Sequence, residues 1–171
     1  VVQGSINQYA ANFEGRVRQT VASEINDKIA FHAYKSENQE IANIAYNNVD
    51  FTTITYNHGN AFDIANDRFT VPDGKQGLYF FSASVFFREA RTDSRWIARL
   101  EWRDVSTNST KYVYLGGGHG TQSGSTGGGN SAVLYLEEGD WIGVEAGMTK
   151  FTYKINGSST MLTQFSGALI Y

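Results

Sequence analysis

The sequence predicts an all-β sandwich or barrel preceded by a short N-terminal helix. Three observations predict it. The 171 residues include 11 Phe, 10 Tyr and 3 Trp, an aromatic share of 14% that suits half-buried pleated surfaces. From Ile29 onward, short runs alternate apolar and polar residues with period two. Eighteen Gly against a single Pro put the turns on glycine, and no helical crossover pattern separates the runs.

The first 28 residues follow another period. Ile6, Tyr9, Phe13, Val17, Val21 and Ile25 recur every three or four positions, which places them on one helical face, with Ser5 as a candidate cap. Such a stripe serves either as an oligomerising neck or as a helix folded back on its own domain, and frayed chain is the third option. The residues divide the chain into a helical segment over 1–28 and a β-domain over 29–171.

Within the β-domain the first strand begins at Ile29, Phe31 and Ala33. Ile54-Thr55-Tyr56 ends at the turn signal Asn57-His58-Gly59-Asn60, and Val71-Pro72-Asp73-Gly74 is a second turn signal. Gly77 to Phe87 is the strongest strand. In the next, Trp96, Ala98, Leu100 and Trp102 share one face, while Ile97, Arg99, Glu101 and Arg103 share the other. That alternation describes a sheet with one wet side. Further strands are expected at Lys111–Leu115, Ser131–Leu136, Trp141–Ala146 and Thr163–Tyr171. The run Gly116 to Gly129 has almost no side chain to bury and reads as an exposed, mobile loop. It is no phosphate loop, because no Lys and Ser/Thr close it at the start of a helix.

These residues resemble the C1q family. Phe51, Asn57, Phe62 and Phe69 fall at that family's spacings, and Gly77, Tyr79 and Phe81 supply its closing strand. The interval from Phe69 to Gly77 is two residues longer than the family pattern, which implies a longer turn around Val71–Gln76. Leu136-Glu137-Glu138-Gly139-Asp140-Trp141-Ile142 resembles the turn before the penultimate strand, and Phe165 to Tyr171 resembles the last strand. The resemblance implies a ten-stranded C1q/TNF-like jelly roll that packs as a homotrimer. No collagen repeat is present, and the overall pattern is similar to secreted invertebrate C1q-domain lectins of innate immunity.

A net charge of −3 gives no general attraction to nucleic acid or anionic membranes, and no apolar run is long enough to insert in one. The opening residues carry no basic-then-apolar pattern, so a secretory leader is expected to be absent or already removed. Without cysteine there is neither a disulfide nor thiol chemistry. Asn108-Ser109-Thr110 and Asn156-Gly157-Ser158 are acceptor triplets for glycosylation.

No residues assemble a catalytic signature, so the chain is read as a binding protein and not an enzyme. His32, His58 and His119 form no metal-ligand spacing, and no nucleophile elbow occurs. Glu137, Glu138 and Asp140 read as a solvated acidic turn. Some C1q-like trimers hold calcium just after the strand matching Lys111–Leu115, but here those positions are Leu115, Gly116 and Gly117, so no cofactor is expected. Asp63 and Asp67 are the remaining calcium candidates.

Ligand contacts are expected from loops at one end of the sandwich. The segment Arg88 to Arg95 brings Arg91, Asp93 and Arg95 beside Trp96, and paired hydrogen bonds from Arg suit a carboxylate. The same segment also fits a surface hairpin that pairs its own charges. His119 and Gln122 lie in the glycine-rich stretch. Lys150, Phe151 and Tyr153 offer a donor and rings for stacking on a sugar, although Phe151, Tyr153 and Ile155 also alternate as a strand would. The candidate ligand-binding residues are therefore Arg91, Asp93, Arg95, His119, Lys150 and Tyr153. The functional expectation is a secreted, trimeric pattern-recognition lectin that binds glycans or glycoproteins on cell or microbial surfaces, sialic and other acidic sugars among them. The alternative is a cytokine-like or structural extracellular trimer that binds a protein partner.

Overall fold

The computed structural model describes residues 28–41, 45–88, 92–120, 124–150 and 152–171. The helical neck expected over 1–28 lies outside the described residues, apart from Lys28. The described residues form thirteen strands and no helix, arranged as two antiparallel sheets packed into a jelly roll. Five strands are only two or three residues long.

The first sheet runs in the order β2 (Gln39–Ile41), β12 (Tyr153–Ile155), β7 (Gly77–Arg88), β13 (Gln164–Leu169), β1 (Ala30–Tyr34) and β4 (Thr53–His58). Strand β10 (Ser125–Leu136) pairs with β7 along its whole length, so β12 and β13 share the other edge of β7. The second sheet runs β5 (Phe62–Asp63), β6 (Arg68–Thr70), β11 (Trp141–Met148), β8 (Arg95–Asp104) and β9 (Ser109–His119). The short β3 (Asn47–Asn48) also pairs with β11.

The sheets meet on aromatic rings. Phe31 of the first sheet stacks on Phe62 and Phe69 of the second, at 4.8 and 5.5 Å between centroids. It also meets Phe165 edge-on at 4.9 Å. Phe51, Tyr79 and Phe81 are buried in the same cluster. Each ring removed from water contributes about 1.5–3 kcal/mol. Gly167 makes the contact possible: a Cβ there would lie 2.6 Å from the Phe81 ring and 2.7 Å from Phe31.

The turns follow their chemistry. Gly59 and Asn60 both take positive φ, 76° and 51°. The Asn57 side chain closes that turn, donating to the Phe62 carbonyl at 2.8 Å and accepting from the Phe62 N–H at 3.2 Å. The extended interval after Phe69 contains a tight turn in which Lys75 N–H donates to the Pro72 carbonyl at 3.1 Å. Tyr79 O–H ties it down through the Lys75 carbonyl at 2.6 Å.

Two expectations need correction. Asp140 is not part of a solvated acidic edge; it is buried. Its carboxylate accepts from Trp102 Nε1 at 3.2 Å, Val105 N–H at 3.0 Å and Glu137 N–H at 3.2 Å. Three donors there replace the water that burial takes away. The glycine-rich run is also not a loop throughout. Gly116, Gly117 and Gly118 belong to β9, and Gly127, Gly128 and Gly129 belong to β10. Gly116, Gly118 and Gly128 are glycines because the Trp96 indole occupies the space. A Cβ at Gly116 or Gly128 would lie 3.1 or 2.9 Å from Trp96 Cη2, and one at Gly118 would lie 3.3 Å from Trp96 Nε1. That nitrogen has no hydrogen-bond partner among the described residues, so packing holds the ring.

Gly128→Val therefore forces the indole out of place. Urea unfolding should show a loss of about 1–3 kcal/mol, the usual cost of overpacking. Gly74→Ala is the control for a general glycine effect, since a Cβ at Gly74 meets no atom within 4 Å and the cost there comes only from its φ of +67°.

Candidate ligand-binding site

On the outer face of the second sheet, β8 presents Arg95, Ile97, Arg99, Glu101 and Arg103, as the alternation predicts. Arg95 opposes His119 across β9. On the other side it joins Thr149: Arg95 N–H donates to Thr149 Oγ1 at 2.9 Å, and Thr149 N–H donates to the Arg95 carbonyl at 2.9 Å. Lys150 follows directly and is exposed. The structure thus gathers Arg95, His119 and Lys150 at one end of this sheet, with exposed Asp93 in the turn before β8. Behind them, Gly120 N–H donates to the carbonyl of buried Ser94 at 3.0 Å and closes the end of the β8–β9 pair.

Other expectations fare differently. Arg91, Gln122 and Phe151 lie outside the described residues. Tyr153 is not a surface ring for stacking on sugar. It is buried in β12, packs edge-on against Phe87 at 5.6 Å, and donates its O–H to the Ala146 carbonyl at 3.1 Å. Burial pushes its hydroxyl up to about 12. Of the two patterns open to that segment, the strand is the one formed. His32 is held between Thr55 Oγ1 and Gln164 Oε1, at 2.9 Å from each. Asn108 is exposed at the β8–β9 turn, whereas Asn156 is half-buried with its N–H bound to the Phe86 carbonyl at 2.7 Å.

Among the described residues no three His, Cys, Asp or Glu converge as metal ligands. Asp63 accepts from Asn66 Nδ2 at 2.5 Å and Ala65 N–H at 2.9 Å, and these bonds hold its carboxyl below the usual range. Asp67 accepts from Phe51 N–H at 2.7 Å, and burial pushes it up to about 6. Asp63 thus closes its own turn, and Asp67 holds the backbone at Phe51.

The sequence did not single out Tyr46. Its ring lies against Arg99, whose guanidinium carbon sits 3.7 Å from the Tyr46 centroid and 3.6 Å from that of Tyr112. Arg99 Nε donates to Glu145 at 2.8 Å. A cation held between two rings and a carboxylate is fixed in direction. Burial, then the neighbouring Glu145 carboxylate, raises Glu101 above the usual carboxylate range. Arg68 lies over Trp141 at 5.3 Å on the same face. Beside the Arg99 stack a cavity of about 60 Å³ opens, lined by Tyr46, Arg95, Ile97, Gly147, Met148 and Thr149. A Cβ at Gly147 would lie 3.2 Å from Tyr46 Cδ1, so glycine is what lets the tyrosine lie down on the sheet.

Residues 30–170 match the family model described as C1q domain. Among solved structures, the globular domain of zebrafish complement 1qA is similar, with 23% identity and a TM-score of 0.61, covering 84% of this chain and 98% of that one. Murine APRIL at pH 5.0 aligns with 14% identity and a TM-score of 0.61, covering 84% of this chain and 100% of its own. Eiger TNF from S. frugiperda aligns with 12% identity and a TM-score of 0.61, covering 84% and 93%. At these identities the structures speak for the fold.

A double-mutant cycle tests the Arg99 stack. With Arg99→Ala and Tyr112→Ala, chemical unfolding should give a coupling of about 0.5–2 kcal/mol. Additive losses would mean that the two side chains touch without stabilising each other.

Proposed function

The chain belongs to the C1q domain family, and from that premise we propose that it is an extracellular homotrimer that binds glycans through the outer face of its second sheet and carries out no chemistry on them. C1q and TNF domain proteins form trimers and are generally extracellular. No helix among the described residues is long and apolar enough to cross a membrane.

One observation carries the reading: the two outer faces of the sandwich have opposite character. On the first sheet, Leu78 and Phe80 of β7 oppose Tyr135 and Val133 of β10, and all four are at least 38% exposed. Ile170 adds to the row, its N–H bonded to the Leu78 carbonyl. So much contiguous apolar surface marks an interaction face. Further copies of this chain are the occupant that fits, since trimers are the rule in the family. That leaves the outer face of the second sheet for ligand, where cations and rings lie side by side. Guanidinium groups grip carboxylates through paired hydrogen bonds, and rings shield the C–H faces of sugars. A secreted pattern-recognition lectin fits this arrangement. A protein ligand is the second reading, favoured by Tyr112 and Tyr114, which stand 43% and 58% exposed on the same face.

Sedimentation equilibrium should return the mass of three chains, and Phe80→Asp should return one, because the new carboxylate would be buried unpaired at the contact. On a glycan array the trimer should select acidic glycans, with Arg95→Ala lowering binding about tenfold or more. A folded trimer that stays blank across neutral and acidic glycans contradicts the lectin reading.

A further inference from the structure

The cavity beside Tyr46 narrows the ligand. Its apolar lining is Ile97, beside the Gly147 backbone; the Met148 side chain belongs to the core cluster. Its wall is the Tyr46 ring, one face of which is already taken by Arg99. Its rim carries two polar groups, Arg95 and Thr149. The volume of about 60 Å³ holds about four water-sized groups. That room suits a short branch projecting from a sugar ring.

The polar atoms define that branch. Thr149 Oγ1 already accepts from Arg95 N–H, which leaves its own proton to donate. A group with a methyl for Ile97 and a carbonyl for that proton satisfies both, and an acylamido group has both. Arg95 is exposed and forms no ion pair among the described residues, so its guanidinium is available to a carboxylate. Resting on the glycan reading, we infer that this pocket binds a carbohydrate bearing both an N-acyl group and a carboxylate: the acyl methyl on Ile97, the acyl carbonyl on Thr149, and the carboxylate on Arg95. N-acetylneuraminic residues of cell-surface glycans have this chemistry, and so do N-acetylmuramic residues of bacterial walls wherever the lactyl carboxyl carries no peptide.

Saturation-transfer NMR and calorimetry on the intact trimer test it. The probes are the methyl glycosides of N-acetylneuraminic and N-acetylmuramic acids, the neuraminic analogue with hydroxyl in place of the amide, and the neuraminic methyl ester. The acetyl methyl should receive the strongest transfer. The hydroxyl analogue and the ester should each bind about tenfold more weakly or worse. Ile97→Trp, which fills the cavity, should abolish the preference for the amide, while Ile97→Val should keep it. The acid that binds more tightly names the source. If the array shows glycan binding but the hydroxyl analogue binds as well as the amide, or Ile97→Trp changes nothing, the pocket assignment falls and the lectin reading stands. If neither acid binds and the array is blank, both fall.

Discussion

Both outer surfaces depend on the stack of phenylalanine rings that joins the sheets at Phe31. Side chains alternate along a strand, so fixing one residue inwards fixes every neighbour. With Tyr79 and Phe81 turned in to meet Phe31 and Phe69, Leu78 and Phe80 must point out. With Trp96, Ala98 and Leu100 turned in on β8, Arg95, Ile97 and Arg99 must point out. A slip of one residue would bury the arginines and expose the core. Gly167 is the small position that allows the rings to close.

Trp96 extends the same logic to the end of the sandwich where the site lies. Its indole fills the volume left by Gly116, Gly118 and Gly128, so β9 and β10 approach each other at the seam between the sheets. The strand that carries the indole inwards carries Arg95 and Ile97 outwards, on either side of it. Core packing and the position of the rim guanidinium are therefore coupled. A register shift after Ala98, where Leu115 is left without a partner, lets Tyr114 oppose Arg99 and keeps Tyr112 and Tyr114 on the outer face.

Much of this was legible in the sequence. Tyr79 and Phe81 announced an inward face because bulky rings two apart on a strand share one side, while Phe51, Phe62 and Phe69 were marked only by the resemblance to the C1q family. The two faces of β8 could be read residue by residue from Trp96 to Arg103. Arg95 and His119 were picked as separate loop residues, and their pairing emerged only from strand register. The glycine run was misread because composition records that glycine has nothing to bury, but not that a ring twenty residues upstream requires it. Asp140 was misread for a similar reason: its donors, Trp102 and Val105, come from another strand and the turn after it. Tyr46 carried no local signal. It stands in a stretch without periodicity, and its position is set by Gly147 and Arg99, each more than fifty residues away.

In the proposed function the two faces divide the labour: the apolar one closes on copies of the chain, and the one with arginines and rings stays open to ligand. A crystal structure of the protein soaked with an N-acetylated acidic sugar tests this most directly. The expected result is a threefold assembly with Leu78, Phe80, Val133 and Tyr135 covered by neighbouring chains, and ligand density between Arg95 and Tyr46. Contradiction would be those four side chains facing solvent, or the outer face of the second sheet buried in the assembly with the ligand elsewhere.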